Sequence, residues 1–297
     1  MKTRWGTTAR VTAVFILLGG LAQWLTFHAS SELLDGVVRE REIDKVRTVG
    51  NLVQSLIRQQ TRQARVAARV LADKEQLSRA LSLQGEARLA RLAAVLGEVY
   101  GERDFAIVEA TDAQGVVLHR AHDTARWGDL DAAWGVAEAL AGQAILTSSK
   151  SASGLVLRAI EPVRSGPAIV GSVSVGVTLN DANFKRLSSD VGADLLLLEH
   201  SGKTVAGSAT ADFQPDPSAI ALAFQEKIPV FRFDPLAHNA AAYLPVTIVD
   251  EAWVIVTRID SQSAFATQRK SVREAAWGAL LILLGGAALA TVTLWVA

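Results

Sequence analysis

Arg120, His122, Trp127 and Asp129 lie close together in one polar stretch, and Arg158 follows within a later apolar segment. A guanidinium group grips a carboxylate through two parallel hydrogen bonds, so Arg120 and Arg158 are candidate anchors for an acidic ligand group. Trp127 offers a face that covers a ligand or stacks on a cation, and His122 and Asp129 supply polar partners. Together the five read as ligand-binding residues for a small molecule. A structural assignment competes with this one: Arg120 and Arg158 pairing with Asp129, Asp131 or Glu161 to hold a loop, and Trp127 plugging a core.

Other chemistry has less behind it. His119, His122, Asp123 and Asp129 are of types that ligate zinc-like ions. His119 and His122 straddle a strand end rather than one helical face, and no His-Glu-x-x-His spacing occurs, so no metal is expected. Ser201-Gly202-Lys203-Thr204 resembles the end of a phosphate-binding loop, but Leu197 stands where the earlier glycine belongs, which leaves a turn. No nucleophile, base and orienting acid form a recognisable set, so neither enzymatic activity nor a cofactor is expected within this chain. The sequence has no cysteine, which removes disulfides and thiolate chemistry. Lys+Arg and Asp+Glu balance at 30 each, so a nucleic-acid partner, which needs a basic surplus, is not expected.

The elements that must position these residues are legible in the pattern around them. Phe105 to Thr111 and Val116 to Arg120 flank Asp112-Ala113-Gln114-Gly115, a strand, reversal, strand order that predicts a β-hairpin feeding a polar loop. Asp129 to Leu140 then reads as helix, and 142–148, 154–161 and 169–179 as three further strands. In the last of these Val173, Val175 and Val177 alternate with Ser172, Ser174 and Gly176, one face for a core and one leaving space for a ligand or helix. After a helical linker from Asn180 to Val191 the order repeats through 193–199, 203–206, 218–226, 228–233, 240–246 and 253–260. Pro162-Val163 in the first unit is echoed by Pro245-Val246 in the second. Two copies of strand, strand, helix and three strands predict an α+β chain of two tandem units with antiparallel sheets.

Upstream, residues 30–98 are rich in helix formers and free of proline, which predicts one long helix. Val46, Val49, Val53, Leu56, Gln60, Gln63, Ala67 and Val70 follow a heptad that suits either the chain's own sheet or a homodimer seam. Val11 to Phe27 is an uncharged apolar run behind Lys2, Arg4 and Arg10, read as an uncleaved membrane anchor at 11–29 with residues 1–10 cytoplasmic. Ala275 to Ala297 is a second uncharged run with Trp277 and Trp295 near its ends, read as a second transmembrane helix behind a juxtamembrane helix at 263–274. No basic residue follows it, so the chain is expected to be the front part of a longer protein. Two crossings put the intervening residues in the bacterial periplasm, with the anchors in the inner membrane.

At this point the chain resembles the bacterial extracytoplasmic double Cache sensor family. The resemblance rests on the order of elements and on Gly115-Val116-Val117-Leu118-His119-Arg120-Ala121-His122-Asp123-Thr124 followed by Gly128-Asp129, with Thr124 where the family pattern has proline. Leu155-Val156-Leu157-Arg158-Ala159-Ile160-Glu161-Pro162-Val163 is similar to a later family segment. It implies a membrane-distal PAS-like module at 99–180 and a membrane-proximal one at 181–262. It also implies a receptor whose distal module binds a small molecule and signals to a cytoplasmic output: a cyclic-di-GMP synthesising or degrading domain, a histidine kinase or a chemoreceptor region. An envelope interaction or scaffolding module without a small ligand is the alternative.

Overall fold

The structure is a computed structural model that describes residues 2–102, 105–131, 134–151, 154–209, 213–234 and 239–260, with isolated positions between 270 and 285. It opens with α1 (Lys2–Asp73), a helix of 72 residues. The helical stretch does not run on unbroken, because Lys74 adopts an extended backbone. Two shorter helices follow, α2 (Glu75–Ser82) and α3 (Gly85–Glu102). Leu83, also extended, separates them.

The expectation of two transmembrane helices is corrected here. Among the described residues no helix is long and apolar enough to cross a membrane. The first expected crossing lies in the N-terminal part of α1, where Gly19, Gly20, Gln23 and Thr26 interrupt the apolar residues. The stretches 263–274 and 275–297 lie mostly outside the described residues.

After α3 come β1 (Ile107–Asp112), β2 (Val117–Arg120), α4 (Val136–Leu140), β3 (Ile145–Ser151), β4 (Gly154–Ser165) and β5 (Ala168–Leu179). Helix α5 (Asp181–Val191) leads to β6 (Asp194–Leu198), β7 (Thr204–Gly207), α6 (Pro217–Glu226), β8 (Val230–Asp234), β9 (Asn239–Ile248) and β10 (Glu251–Asp260). The strands form two five-stranded sheets, β2-β1-β5-β4-β3 and β7-β6-β10-β9-β8. The pairings of the first sheet, and those of β6 with β7 and β10 in the second, are antiparallel, as the hairpin pattern requires. The turn between β1 and β2 is held by Asp112, whose side chain accepts from the backbone N–H of Gln114 and Val116, both at 2.9 Å. The helix read from Asp129 is confined to α4, because the residues before it are drawn into backbone pairing with β2.

The chain divides into two compact units. The smaller comprises Met1–Val46, Arg232–Ala241 and Ile259–Ala297; within it Lys45 pairs with the buried Glu42 at 2.6 Å and Arg39 lies over the Phe233 ring. The larger comprises Arg47–Phe231 and Ala242–Arg258. Its share of α1 buries Val53, Ile57, Ala64, Ala68 and Leu71, while Leu56, Gln63 and Ala67 are only half-buried and Val70 is exposed. The buried stripe therefore meets the expected heptad at Val53 and runs beside it from Ile57 onward. A Cβ built on Gly50 would collide with Leu244 of β9, so α1 lies hard against the second sheet at that point.

Candidate functional site

Cross-strand neighbours share a sheet face, and the register of the first sheet places Glu109 opposite both Arg120 and Ser174, Thr111 opposite Ser172, and Arg158 opposite Gly176. These residues occupy the small, polar face of β5, while Val173, Val175 and Val177 turn to the other side. A Cβ at position 176 would stand 3.1 Å from the Arg158 side chain, so Gly176 is what lets that guanidinium lie down on the sheet. Glu109, Arg120 and Arg158 are 4%, 8% and 7% exposed, which makes this a buried charged cluster rather than a surface one.

The loop after β2 closes the cluster. Val117 donates its N–H to the Asp129 carbonyl at 2.8 Å and Asp131 donates to the Gly115 carbonyl at 2.9 Å, so the chain returns alongside β2 and carries two carboxylates with it. Arg120 then grips Asp129 with both terminal nitrogens, Nη1 to Oδ1 at 2.7 Å and Nη2 to Oδ2 at 3.0 Å. Its Nε donates to Glu109 at 2.9 Å, and Nη1 also donates to the Arg126 carbonyl at 3.0 Å. Arg158 donates through Nη2 to the other Glu109 oxygen, to Asp131 Oδ2 at 2.7 Å and to Ser174 Oγ at 3.0 Å. The result is a chain of alternating charge, Asp129, Arg120, Glu109, Arg158, Asp131. It holds two guanidinium groups and three carboxylates.

Burial pushes the Glu109 carboxyl above its ordinary range, with the nearby Asp131 adding to the rise and the two arginines opposing it. Hydrogen bonds from Arg120 hold Asp129 low, at about 2. One atom is left over: Arg158 Nε is buried and has no hydrogen-bond partner among the described residues. A buried donor without an acceptor costs about 1–3 kcal/mol, so this nitrogen marks a place where a water or ligand oxygen belongs.

Four of the five candidate residues converge at this face. Arg120, Asp129 and Arg158 are in the ion-pair chain. His122 stands at the strand end, where its Nδ1 accepts from the Val108 N–H at 3.2 Å. Burial lowers its pKa, and the positive charge of Arg120 and Arg158 lowers it further. Trp127, at 58% exposed, does not plug the core, and Leu130 and Trp134 of the same loop are exposed with it. His119 lies on the face opposite Arg120 by strand alternation, so the two histidines do not converge. Sequence reasoning overlooked Glu109. The signal was present, since it is the one charge inside the apolar run Phe105 to Ala110, and a charge in a strand destined for burial needs partners.

Residues 48–229 match the family model described as a double sensory domain of two-component sensor kinase. No curated protein sequence matches the chain. Among solved structures it is similar to the extracellular domain of a histidine kinase, at 13% identity and a TM-score of 0.55 over 78% of this chain and 95% of that one. It is also similar to the ligand-binding domain of the Campylobacter jejuni chemoreceptor Tlp3 in complex with 4-methylisoleucine, at 13% identity and a TM-score of 0.52 over 75% and 90%. It spans 39% of the extracellular ligand binding receptor from Desulfohalobium retbaense, 15% identical over 72% of this chain with a TM-score of 0.49. At these identities the likeness to the histidine kinase and chemoreceptor domains is one of fold.

Proposed function

Because this chain belongs to the double Cache family of sensory domains, we propose that it is the ligand-sensing part of a bacterial membrane receptor, binding a small molecule over the polar face of the first sheet. The observation that carries this reading is the buried Arg158 Nε without an acceptor, set among charged groups that could trade an internal partner for a ligand. The cluster offers guanidinium groups to a carboxylate and an excess of carboxylates to an amine, so the ligand class is a zwitterion such as an α-amino acid. That the Campylobacter chemoreceptor is solved with 4-methylisoleucine and with L-valine is consistent with this choice.

In this reading the modules lie in the periplasm and the response passes to a cytoplasmic diguanylate cyclase or phosphodiesterase, histidine kinase or chemoreceptor output. Ligand acts by favouring one of two arrangements of the loop from His122 to Asp131, and the change reaches α1 through the sheet. Leu52, Val66 and Val70, exposed on α1, are the surface proposed for a homodimer.

The test is a thermal-shift screen of the whole chain against amino acids, organic acids and amines, because a ligand of the folded state raises its stability. A saturable shift with an amino acid, absent with the matching acid or amine alone, supports the reading. The exposed Trp127, Leu130 and Trp134 favour a second one, a docking face for a protein partner. No shift from any compound in a folded sample would turn the choice to that alternative.

A further inference from the structure

Arg58, Arg62, Arg65 and Arg69 follow one another on α1 at spacings of four, three and four residues. That spacing keeps side chains on one face, and at ~1.5 Å rise per residue it spreads four positive charges over about 16 Å. All four line a single groove of about 360 Å³, walled on its other sides by β3, β4, β9 and the β9–β10 turn. None of the four guanidinium groups has a hydrogen bond or close ion pair among the described residues. Like charges at such spacings weaken a helix rather than support it, and no hydrogen bond or close ion pair of these four among the described residues offsets the cost.

Glu161 of β4 is the groove's single carboxylate. Arg69 and Arg65 attract it, while burial raises its pKa, so one carboxylate faces four guanidinium groups. Across from the arginines, the turn residue Val249 holds φ +56. A β-branched residue in the left-handed region is strained, and strain of this kind gathers at ligand clamps. The groove volume falls within the roughly 300–1,000 Å³ of small-molecule sites.

We propose that this groove is a second binding site, separate from the sheet-face cluster, for a small multivalent oxyanion bearing two or more phosphate or carboxylate groups. Guanidinium forks match both kinds of oxyanion. A single phosphate meets one neighbouring pair of arginines, whereas an extended polyanion spans the stripe. Because the walls come from α1 and from both sheets of the larger unit, a bound anion ties these three elements together and stabilises the fold.

Calorimetric titration of the full chain with tripolyphosphate, citrate and inorganic phosphate tests the site. One-to-one, salt-sensitive binding is expected for tripolyphosphate or citrate, at least tenfold tighter than for inorganic phosphate; whichever of the two binds tighter identifies phosphate or carboxylate as the recognised group. The double variant Arg62→Gln, Arg65→Gln loses at least tenfold in affinity. Both side chains are exposed, so its circular dichroism stays that of the parent and its unliganded melting temperature does not fall below the parent's. Glu161→Gln gains several-fold by removing the opposing charge. Arg91→Gln, an exposed arginine on α3, changes nothing. Absence of saturable binding, or an equal loss in Arg91→Gln and the double variant, would overturn the proposal, since the second result reports net charge and not a site.

Discussion

The two sheets share one strand order but fill the corresponding face with opposite chemistry. In the second sheet Leu196 and Leu198 lie opposite Val256 and Val254, all buried, on the side where the Tyr243 hydroxyl accepts from the Asp216 N–H at the start of α6. Charge enters there through Arg258 and Asp194, at the end of the register. In the first sheet the equivalent positions on β1 and β5 are Glu109, Thr111, Ser172 and Ser174. The helices differ in step. α6 runs ten residues and buries Ala219, Ile220, Ala223 and Phe224, whereas α4 runs five and packs Val136 and Ala139 on Ile160. Topology sets where a site can be, and the side chains on one face decide whether it becomes a core or a charged receptacle. A buried ionic cluster is a poor way to gain stability compared with leucine and valine, which is the reason to look for its use in binding.

The largest effect that would sharpen this contrast is expected from Arg158→Ala. It leaves Glu109 and Asp131 buried without their shared cation and should cost about 3–5 kcal/mol in urea unfolding, together with the ligand response. Leu198→Ala in the second sheet removes a fully buried side chain and should cost about 2–5 kcal/mol through the cavity it leaves. Its ligand-induced shift should survive. If Leu198→Ala abolished the shift while Arg158→Ala kept it, the assignment of sensing to the first sheet would be reversed.

A smaller, pH-dependent effect separates two carboxylates of the same cluster. Asp129 titrates at about 2 when folded, below its ordinary 3.8, so its contribution to stability is complete above 3.8 and is lost as pH falls through about 2. Glu109 has the opposite sign. Its folded pKa is raised above 4.5, so its contribution is present below 4.5 and is lost as pH rises through the folded value. Urea midpoints measured from pH 2 to 6 should show Asp129→Asn converging on the parent at the acid end. Glu109→Gln should fall closest to the parent at the acid end as well, but for the reverse reason: the parent's Glu109 is then protonated and isosteric with glutamine. Parallel, pH-independent offsets for both variants would show that neither carboxylate is tuned by the cluster.

Much of the architecture was legible because period-two alternation, Asp- and Gly-bearing reversals and the repeated order of elements are local signals. The Ser172, Ser174 and Gly176 face could be seen from β5 alone. Its occupants could not all be seen, because Glu109 and Asp131 reach it through cross-strand register and a returning loop, which are non-local. The breaks at Lys74 and Leu83 escaped notice because both are ordinary helix formers, so residue type does not mark their extended backbone. That Trp127 does not plug the core could not be read from its type, because its exposure is set by where the loop turns back along β2.

The smallest expected effect concerns the caps of the two covering helices. The Asp216 side chain accepts from the Ser218 N–H at 2.9 Å, and Pro217 presets the first helical turn of α6. At the start of α4, Gly135 has no side chain to offer, and a Cβ there would press within 2.8 Å of Ile145. The second module thus anchors its helix, and the first trades a cap for close approach to the sheet. Asp216→Ala should cost about 1 kcal/mol by losing that cap. Hydrogen exchange should find the amides of α4 opening before those of α6 in the parent, with the gap narrowed in Asp216→Ala. Slower exchange in α4 than in α6 would mean that its packing on Ile160 alone outweighs a capped helix of twice the length, and the contrast between a rigid second module and a more readily opened first one would fail.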